Sequence, residues 1–323
     1  MRTIEITDGK GPASALVVGQ RPVPQPQAGE ILIRVRAAGV NRPDIVQRNG
    51  FYPAPAGASD ILGLEVAGEV EAIGEGVTRW AIGDRVCALL GGGGYAEYVC
   101  VDARHALPIP SGLEFEQAAA LPETVFTVFT NMFEGGALKA GETLLIHGAT
   151  SGIGVMVIQM AKAAGARVIA TSRTAAKAEA AKALGADISL DSSTQDLAAE
   201  IKAAGGADVV LDMVGAAYAD LNLHALKERG RWVVIASLTG NRAEIDLQRI
   251  MLKKLVLTGS TLRSRPADEK ARLAAAVETT VWPWIEQGQV SARIHARFPL
   301  DQAAQAHAEL EAGDHVGKVL LIP

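Results

Sequence analysis

The chain has 323 residues, 49% hydrophobic and 21% charged, with a formal net charge of −5. At roughly 150 residues per domain this length predicts two domains, each large enough for its own core. The acidic balance, with a pI near 5.8, argues against nucleic acid or an anionic membrane as the main partner. No apolar run is long enough to span a bilayer and no basic-then-apolar leader opens the chain, so a cytoplasmic location is expected. The two cysteines, Cys87 and Cys100, cannot build a four-cysteine zinc site, and their strand-like surroundings suit buried thiols in a reducing compartment.

From Met1 to Leu121 short strand-like runs at residues 31–35, 66–70 and 85–89 are broken by turn signals such as Pro22-Val23-Pro24 and Gly91-Gly92-Gly93-Gly94. This texture predicts a compact all-β barrel. From Pro122 it changes to apolar runs alternating with alanine-rich amphipathic stretches, the pattern of a parallel sheet covered on both faces. Strands are expected at 143–147, 167–171, 187–190, 208–212, 231–235 and 254–259, with helices over 155–164 and 175–184. A long helix over 266–287 follows, then short strands ending at Gly317-Lys318-Val319-Leu320-Leu321. The simplest layout is a β-rich domain, residues 1–121 and 264–323, interrupted by a doubly wound α/β domain, residues 122–263. A site in the cleft between them is expected.

After the first α/β strand comes His147-Gly148-Ala149-Thr150-Ser151-Gly152-Ile153-Gly154. A loop of small residues opening a helix lets a pyrophosphate meet backbone N–H groups and the positive helix end. Ala149 and Ser151 stand where the first two glycines of the usual fingerprint would be. Its context, a strand before and a helix after, carries more weight than the motif. The second strand ends in Thr171-Ser172-Arg173, with Lys177 one turn later. No carboxylate is present there for a ribose 2′-OH, whereas Ser172, Arg173 and Lys177 suit a 2′-phosphate, so NADPH is the expected cofactor. A short-chain dehydrogenase is disfavoured because the loop is central in the chain and Tyr218 is followed four residues on by Asn222 rather than lysine.

The layout resembles the medium-chain dehydrogenase/reductase superfamily over essentially the whole chain. Zinc-dependent members carry a cysteine ligand where Gly39-Val40-Asn41-Arg42-Pro43-Asp44 has Asn41. They carry a histidine where Gly63-Leu64-Glu65-Val66-Ala67-Gly68 has Leu64. Neither residue offers a thiolate or an imidazole. These segments, with 50–53, 57–65 and 122–129, are similar to the zinc-free quinone oxidoreductases related to zeta-crystallin. The tumour-suppressor-inducible branch also has a counterpart of Thr261-Leu262-Arg263-Ser264-Arg265.

That resemblance implies a Rossmann domain inserted in a GroES-like β-barrel catalytic domain. It also implies delivery of reducing equivalents from the nicotinamide C4 of NADPH to a quinone, with no metal. It places Asn41 and Tyr52 at the substrate carbonyl and Thr127 at the carboxamide or the reacting carbonyl. Ser151, Gly152 and Ile153 would lie under the pyrophosphate. Ser172, Arg173, Lys177 and Ser192 would meet the adenosine end, and Leu238, Gly240, Leu262, Arg263 and Lys318 the rest of the cofactor. Leu190-Asp191-Ser192 lacks the tyrosine that relatives place against the adenine, and Val46 replaces a second pocket tyrosine, predicting a more apolar pocket. No proton-relay motif stands out, and water is the expected proton source. Reduction of an activated C=C bond and a non-enzymatic NADPH-binding role are the competing readings. A homodimer through residues 255–261 is expected from the family.

Overall fold

The computed structural model describes residues 1–323. Seven strands precede the α/β segment: β1 (Arg2–Ile6), β2 (Leu16–Gln20), β3 (Glu30–Val40), β4 (Glu65–Ile73), β5 (Arg85–Leu89), β6 (Tyr98–Asp102) and β7 (Ala106–Pro108). Six lie within it: β8 (Thr143–His147), β9 (Arg167–Ser172), β10 (Ile188–Asp191), β11 (Ala207–Asp212), β12 (Leu226–Val234) and β13 (Val256–Gly259). Two follow, β14 (Ile294–Pro299) and β15 (Lys318–Ile322). The chain divides into Met1–Phe126, Arg263–Glu286 and Ala292–Pro323 as one unit and Thr127–Leu262 with Gln287–Ser291 as the other. The first break thus falls inside the helix Pro122–Val128, not at its start.

In the first unit β3 is the axis of a seven-stranded sheet ordered β14-β15-β3-β4-β5-β7, with β6 also paired to β3. Ile31, Ile33 and Val35 pack into the core with Val66, Val70, Val86 and Leu321, and Leu32 and Ala37 are buried too, so that β3 is covered on both faces over most of its length, with Arg34 exposed. Two short helices, Arg42–Arg48 and Phe115–Ala119, interrupt the region expected to be all-β. Each is under two turns, too short to show a 3.6-residue period. The expected single helix over 266–287 is two, Ala267–Thr280 and Trp282–Glu286. Pro283 lacks an N–H and is tolerated only within a first turn, so it restarts the helix.

The second unit is a six-stranded, all-parallel sheet ordered β10-β9-β8-β11-β12-β13. Numbered along the unit this is 3-2-1-4-5-6, with the reversal of direction between β8 and β11. Ser151, Thr174, Asp196 and Asp246 each cap the following helix by accepting from the N–H of Gly154, Lys177, Ala199 and Arg249. The sixth strand begins at Val256 because Lys254, at φ 54°, is the left-handed C-cap of the helix Leu247–Lys253. No helix of the chain is long and apolar enough to cross a membrane.

Candidate active site

Three strand ends meet at one edge of the first sheet. Val40 of β3 pairs with Val319 of β15, and Ala38 pairs with Val66 of β4. The antiparallel registers therefore bring Asn41, Lys318 and Glu65 together. Lys318 Nζ donates to Asn41 Oδ1 at 2.5 Å and forms an ion pair with Glu65 Oε1 at 2.5 Å. Asn41 Nδ2 donates to Glu65 Oε1 at 2.9 Å and makes only a 3.4 Å contact with Gly39 O. The N–H of Glu123 completes the set, donating to Glu65 Oε2 at 2.8 Å. Glu65 is fully buried and Lys318 is 5% exposed. Gly39 makes room for this, since a Cβ there would fall 2.0 Å from Glu65 Oε1.

Around this cluster sit further ionisable groups of the same unit. Glu123 is half-buried, and burial beside Glu65 pushes its carboxyl up to about 8, against the pull of Lys318. Tyr52 lies under the Arg263 guanidinium, 5.3 Å from its ring centroid. Burial, with Glu123 nearby, raises its phenol. Arg263 is itself anchored: Nε donates to Gly91 O at 2.8 Å and Nη1 to Tyr52 O at 3.2 Å, while Nη2 is buried without a partner. Lys270 Nζ donates to Arg263 O at 2.7 Å. Behind Asn41, Asp44 accepts from the N–H groups of Asn41 at 2.7 Å and Gly63 at 3.1 Å, and burial pushes its carboxyl up to about 6.

In the second unit the loop after β8 opens a helix. Gly148, at φ 72°, turns the chain out of β8. Ser151 Oγ donates to Gly148 O at 2.9 Å and accepts from the Gly154 N–H at 3.0 Å. The N–H groups of Gly152 and Ile153 stand in the first turn of the helix Gly152–Ala163, where a helix has no internal acceptor for them. A Cβ at Gly154 would meet Ala149 C and Gly148 O at 2.5 Å, so the helix and loop are in direct contact.

At the end of β9, Ser172 Oγ is buried with no hydrogen-bond partner, a vacancy in bonding that a ligand hydroxyl or phosphate oxygen would fill. Asp191 pairs with Ser172 across the ladder, and the Ser192 N–H donates to Ser172 O at 2.8 Å. The Asp191 carboxylate is turned to its own loop, accepting from the Ser193 N–H at 2.9 Å and hydroxyl at 2.7 Å. Arg173 is exposed, and Lys177 stands in the first turn of the helix Ala175–Ala183.

Asn41 and Lys318, assigned by sequence to opposite roles, are bonded to each other, as are Tyr52 and Arg263. Ser151, Gly152 and Ile153 share one loop, and Ser172 and Ser192 adjacent strand ends. Thr127 closes the helix Pro122–Val128, its carbonyl accepting from Asn131 Nδ2 at 2.8 Å, just before a wider π-helical turn over Phe129–Gly135. Leu238 and Gly240 occupy the loop after β12, tied to the loop after β11 by Leu238 N to Met213 O and Ala216 N to Gly240 O. Leu262 follows β13 and is buried. Leu64 is core, 1% exposed. No group of three or more His, Cys, Asp or Glu side chains is arranged to hold a metal ion. The sequence reading passed over Glu65 and Glu123. The signal for the first lies in Gly63-Leu64-Glu65, where a glutamate directly follows the leucine that replaces the histidine.

Comparison with known proteins agrees with both units. Residues 27–111 match the alcohol dehydrogenase GroES-like domain, and residues 152–279 the zinc-binding dehydrogenase domain. A quinone oxidoreductase of Pseudomonas aeruginosa is 36% identical over 304 residues, covering 93% of each chain. The chain belongs to the quinone oxidoreductase family of medium-chain dehydrogenases/reductases. Among solved structures, Escherichia coli quinone oxidoreductase complexed with NADPH is similar over the full length of both chains, at 30% identity and a TM-score of 0.90. An NAD-dependent alcohol dehydrogenase is similar at 31% identity and a TM-score of 0.89, again with full coverage of both.

Proposed function

We propose that this chain is an NADPH-dependent quinone reductase that works without a metal ion. The observation that carries the reading is the Asn41–Lys318–Glu65 cluster. At the places where zinc-dependent relatives put ligands, this chain has an amide and a leucine, with a buried ammonium bonded to the amide oxygen. Asn41 and Leu64 are no donor set for zinc. A cation on Oδ1 instead strengthens the amide N–H groups as donors, and the second Nδ2 hydrogen, poorly used on Gly39 O at 3.4 Å, is available to a substrate carbonyl.

The dinucleotide fits the second unit. The Gly152 and Ile153 N–H groups would hold the pyrophosphate, and Ser172 Oγ, Arg173 and Lys177 a 2′-phosphate. Asp191, spent on Ser193, does not compete for that position. Ser192 would border the adenosine; Thr127, Leu238, Gly240 and Leu262 the nicotinamide half. Arg263 and Lys318 each retain an unspent donor, Nη2 of the first and the third ammonium hydrogen of the second. Bound there, the nicotinamide C4 supplies a hydride. Asn41 and Tyr52 orient the quinone carbonyl and stabilise the charge that develops on its oxygen.

Two measurements test this. Steady-state assays with benzoquinone, naphthoquinone and an enone should show NADPH consumption fastest with the quinones; turnover of the enone alone assigns the chain to C=C reduction, and turnover of none sinks an enzymatic role. Arg173→Ala with Lys177→Ala should weaken NADPH binding on the order of 100-fold, the worth of charge-assisted hydrogen bonds, and leave NADH unchanged. An unaltered cofactor ratio would remove the case for NADPH.

A further inference from the structure

The two glutamates of the site have opposite surroundings. Two donors and a cation converge on Glu65: Asn41 Nδ2 at 2.9 Å, the Glu123 N–H at 2.8 Å, and the Lys318 ammonium paired with Oε1 at 2.5 Å. That is the set an ionised carboxylate takes. The Glu123 side chain receives no hydrogen bond from the protein, although its own backbone is tied to Glu65 and its carboxyl is half-buried beside that charge. Linked through the Glu123 N–H, one carboxyl rich in donors and one with none divide between them the roles of fixed anion and held proton. Six groups set its charge balance: Glu65 on β4, Asp44 on the helix Arg42–Arg48, Lys318 on β15, Arg263, Tyr52 and Lys270 on the helix Ala267–Thr280.

We infer that Glu123 is the acid of the reaction, holding its proton at neutral pH and giving it to the oxygen of the reduced acceptor. This rests on the reductase reading above and replaces water as the direct proton source. In each turnover the acceptor gains the hydride and its two electrons from the dinucleotide. The Glu123 O–H bond breaks as a new O–H bond forms on the charged acceptor oxygen, and Glu123 is left as a carboxylate. Repulsion from Glu65 then favours its recharging by a solvent proton, which its partial exposure admits. Glu65 is a positioning residue: it holds the Glu123 backbone and, by its charge, keeps the proton on Glu123. The direction of the shift at Glu123, up to about 8 from burial and Glu65, agrees with this division.

The test needs no bound ligand for its first arm. Infrared difference spectra of the free protein at neutral against alkaline pH should show a protonated-carboxyl C=O band that titrates away near pH 8 and is absent from Glu123→Gln. For the second arm the pH profile of kcat/KM is taken with whichever acceptor, quinone or enone, the parent protein reduces. The parent should lose activity as pH rises through about 8, where Glu123 gives up its proton. Glu123→Gln should lower kcat on the order of 100-fold and lose that alkaline limb while its NADPH affinity is kept, and Glu123→Asp should restore the limb in part. A missing band, or an alkaline limb retained in Glu123→Gln, overturns the inference. Failure of the quinone reading shows separately, as a parent protein that reduces enones but no quinone, with the band and the limb both intact.

Discussion

At His307 the direction of every hydrogen bond can be read. Arg48 Nη1 only donates, so at 3.2 Å it makes Nδ1 the acceptor of a neutral ring. Nε2–H then donates to Tyr95 Oη at 3.0 Å, and the phenol donates to Asp44 Oδ2 at 3.2 Å. Burial beside the Arg48 cation pushes His307 down to about 3 from 6.5. The unfolded chain therefore binds the extra proton first, so the contribution of His307 is full above pH 6.5 and is lost as pH falls towards 3. Asp44, raised from 3.8 to about 6 by burial, has the opposite sign: its contribution is full below 3.8 and is lost as pH rises through 6. The two oppose one another between pH 4 and 6. Urea titrations of the parent and of His307→Gln, which keeps an acceptor and a donor, should converge as pH falls from 6.5 towards 3, by up to about 1.4 kcal/mol per unit. A gap that ignores pH would mean that His307 is not neutral in the fold. Lys318 is the other residue with a sharp expectation. Lys318→Met strands the fully buried Glu65 without its cation, and the same titrations at pH 7 should show a loss of about 3–5 kcal/mol.

At the scale of elements, the loop and the helix it opens are fitted through Gly154. An alanine there would press its Cβ to 2.5 Å from Gly148 O and Ala149 C, backbone atoms that cannot swing aside. Gly154→Ala should cost about 1–3 kcal/mol of overpacking, visible as a lowered Tm and as weakened NADPH binding in a fluorescence titration, while Ser151→Ala should lose only a cap, about 1 kcal/mol. Equal effects of the two would mean that close packing is not what the glycine provides. These elements were legible because each leaves a local mark: four of the six parallel strands are apolar runs recognised to within one residue at either end, and Ser, Thr or Asp stands at four helix starts, although the fifth strand, Leu226–Val234, begins five residues before the expected 231. The sixth strand was read two residues early because nothing in Lys254-Leu255 announces a left-handed cap. The polar cluster at the strand ends of the first unit was hardest to read. Asn41, Glu65, Glu123 and Lys318 are brought together by strand register and one helix start, across separations no motif spans.

At the scale of the whole chain, the interruption of a β-rich unit by an α/β unit was plain from the change in texture near residue 122, yet one face of the α/β unit needs a further explanation. β13 is the last strand of its sheet and pairs only with β12. Val256 in this strand is 50% exposed, and in the helix Leu247–Lys253 just before it Leu247 is 75% exposed and Met251 and Leu252 66% each. Single exposed apolar residues are ordinary, but a group of them on an unpaired strand and the helix that leads into it invites either aggregation or a partner. The β13 edges of two copies, paired about a two-fold axis, would extend one sheet into the other and cover the same residues on both chains. Sedimentation velocity should therefore show a dimer. Leu252→Glu with Val256→Lys, both far from the loop and the carboxylate cluster in sequence and on exposed positions, should shift it to monomer without lowering NADPH affinity. A parent protein that sediments as a monomer at micromolar concentration would leave this edge protected by some means other than a second copy.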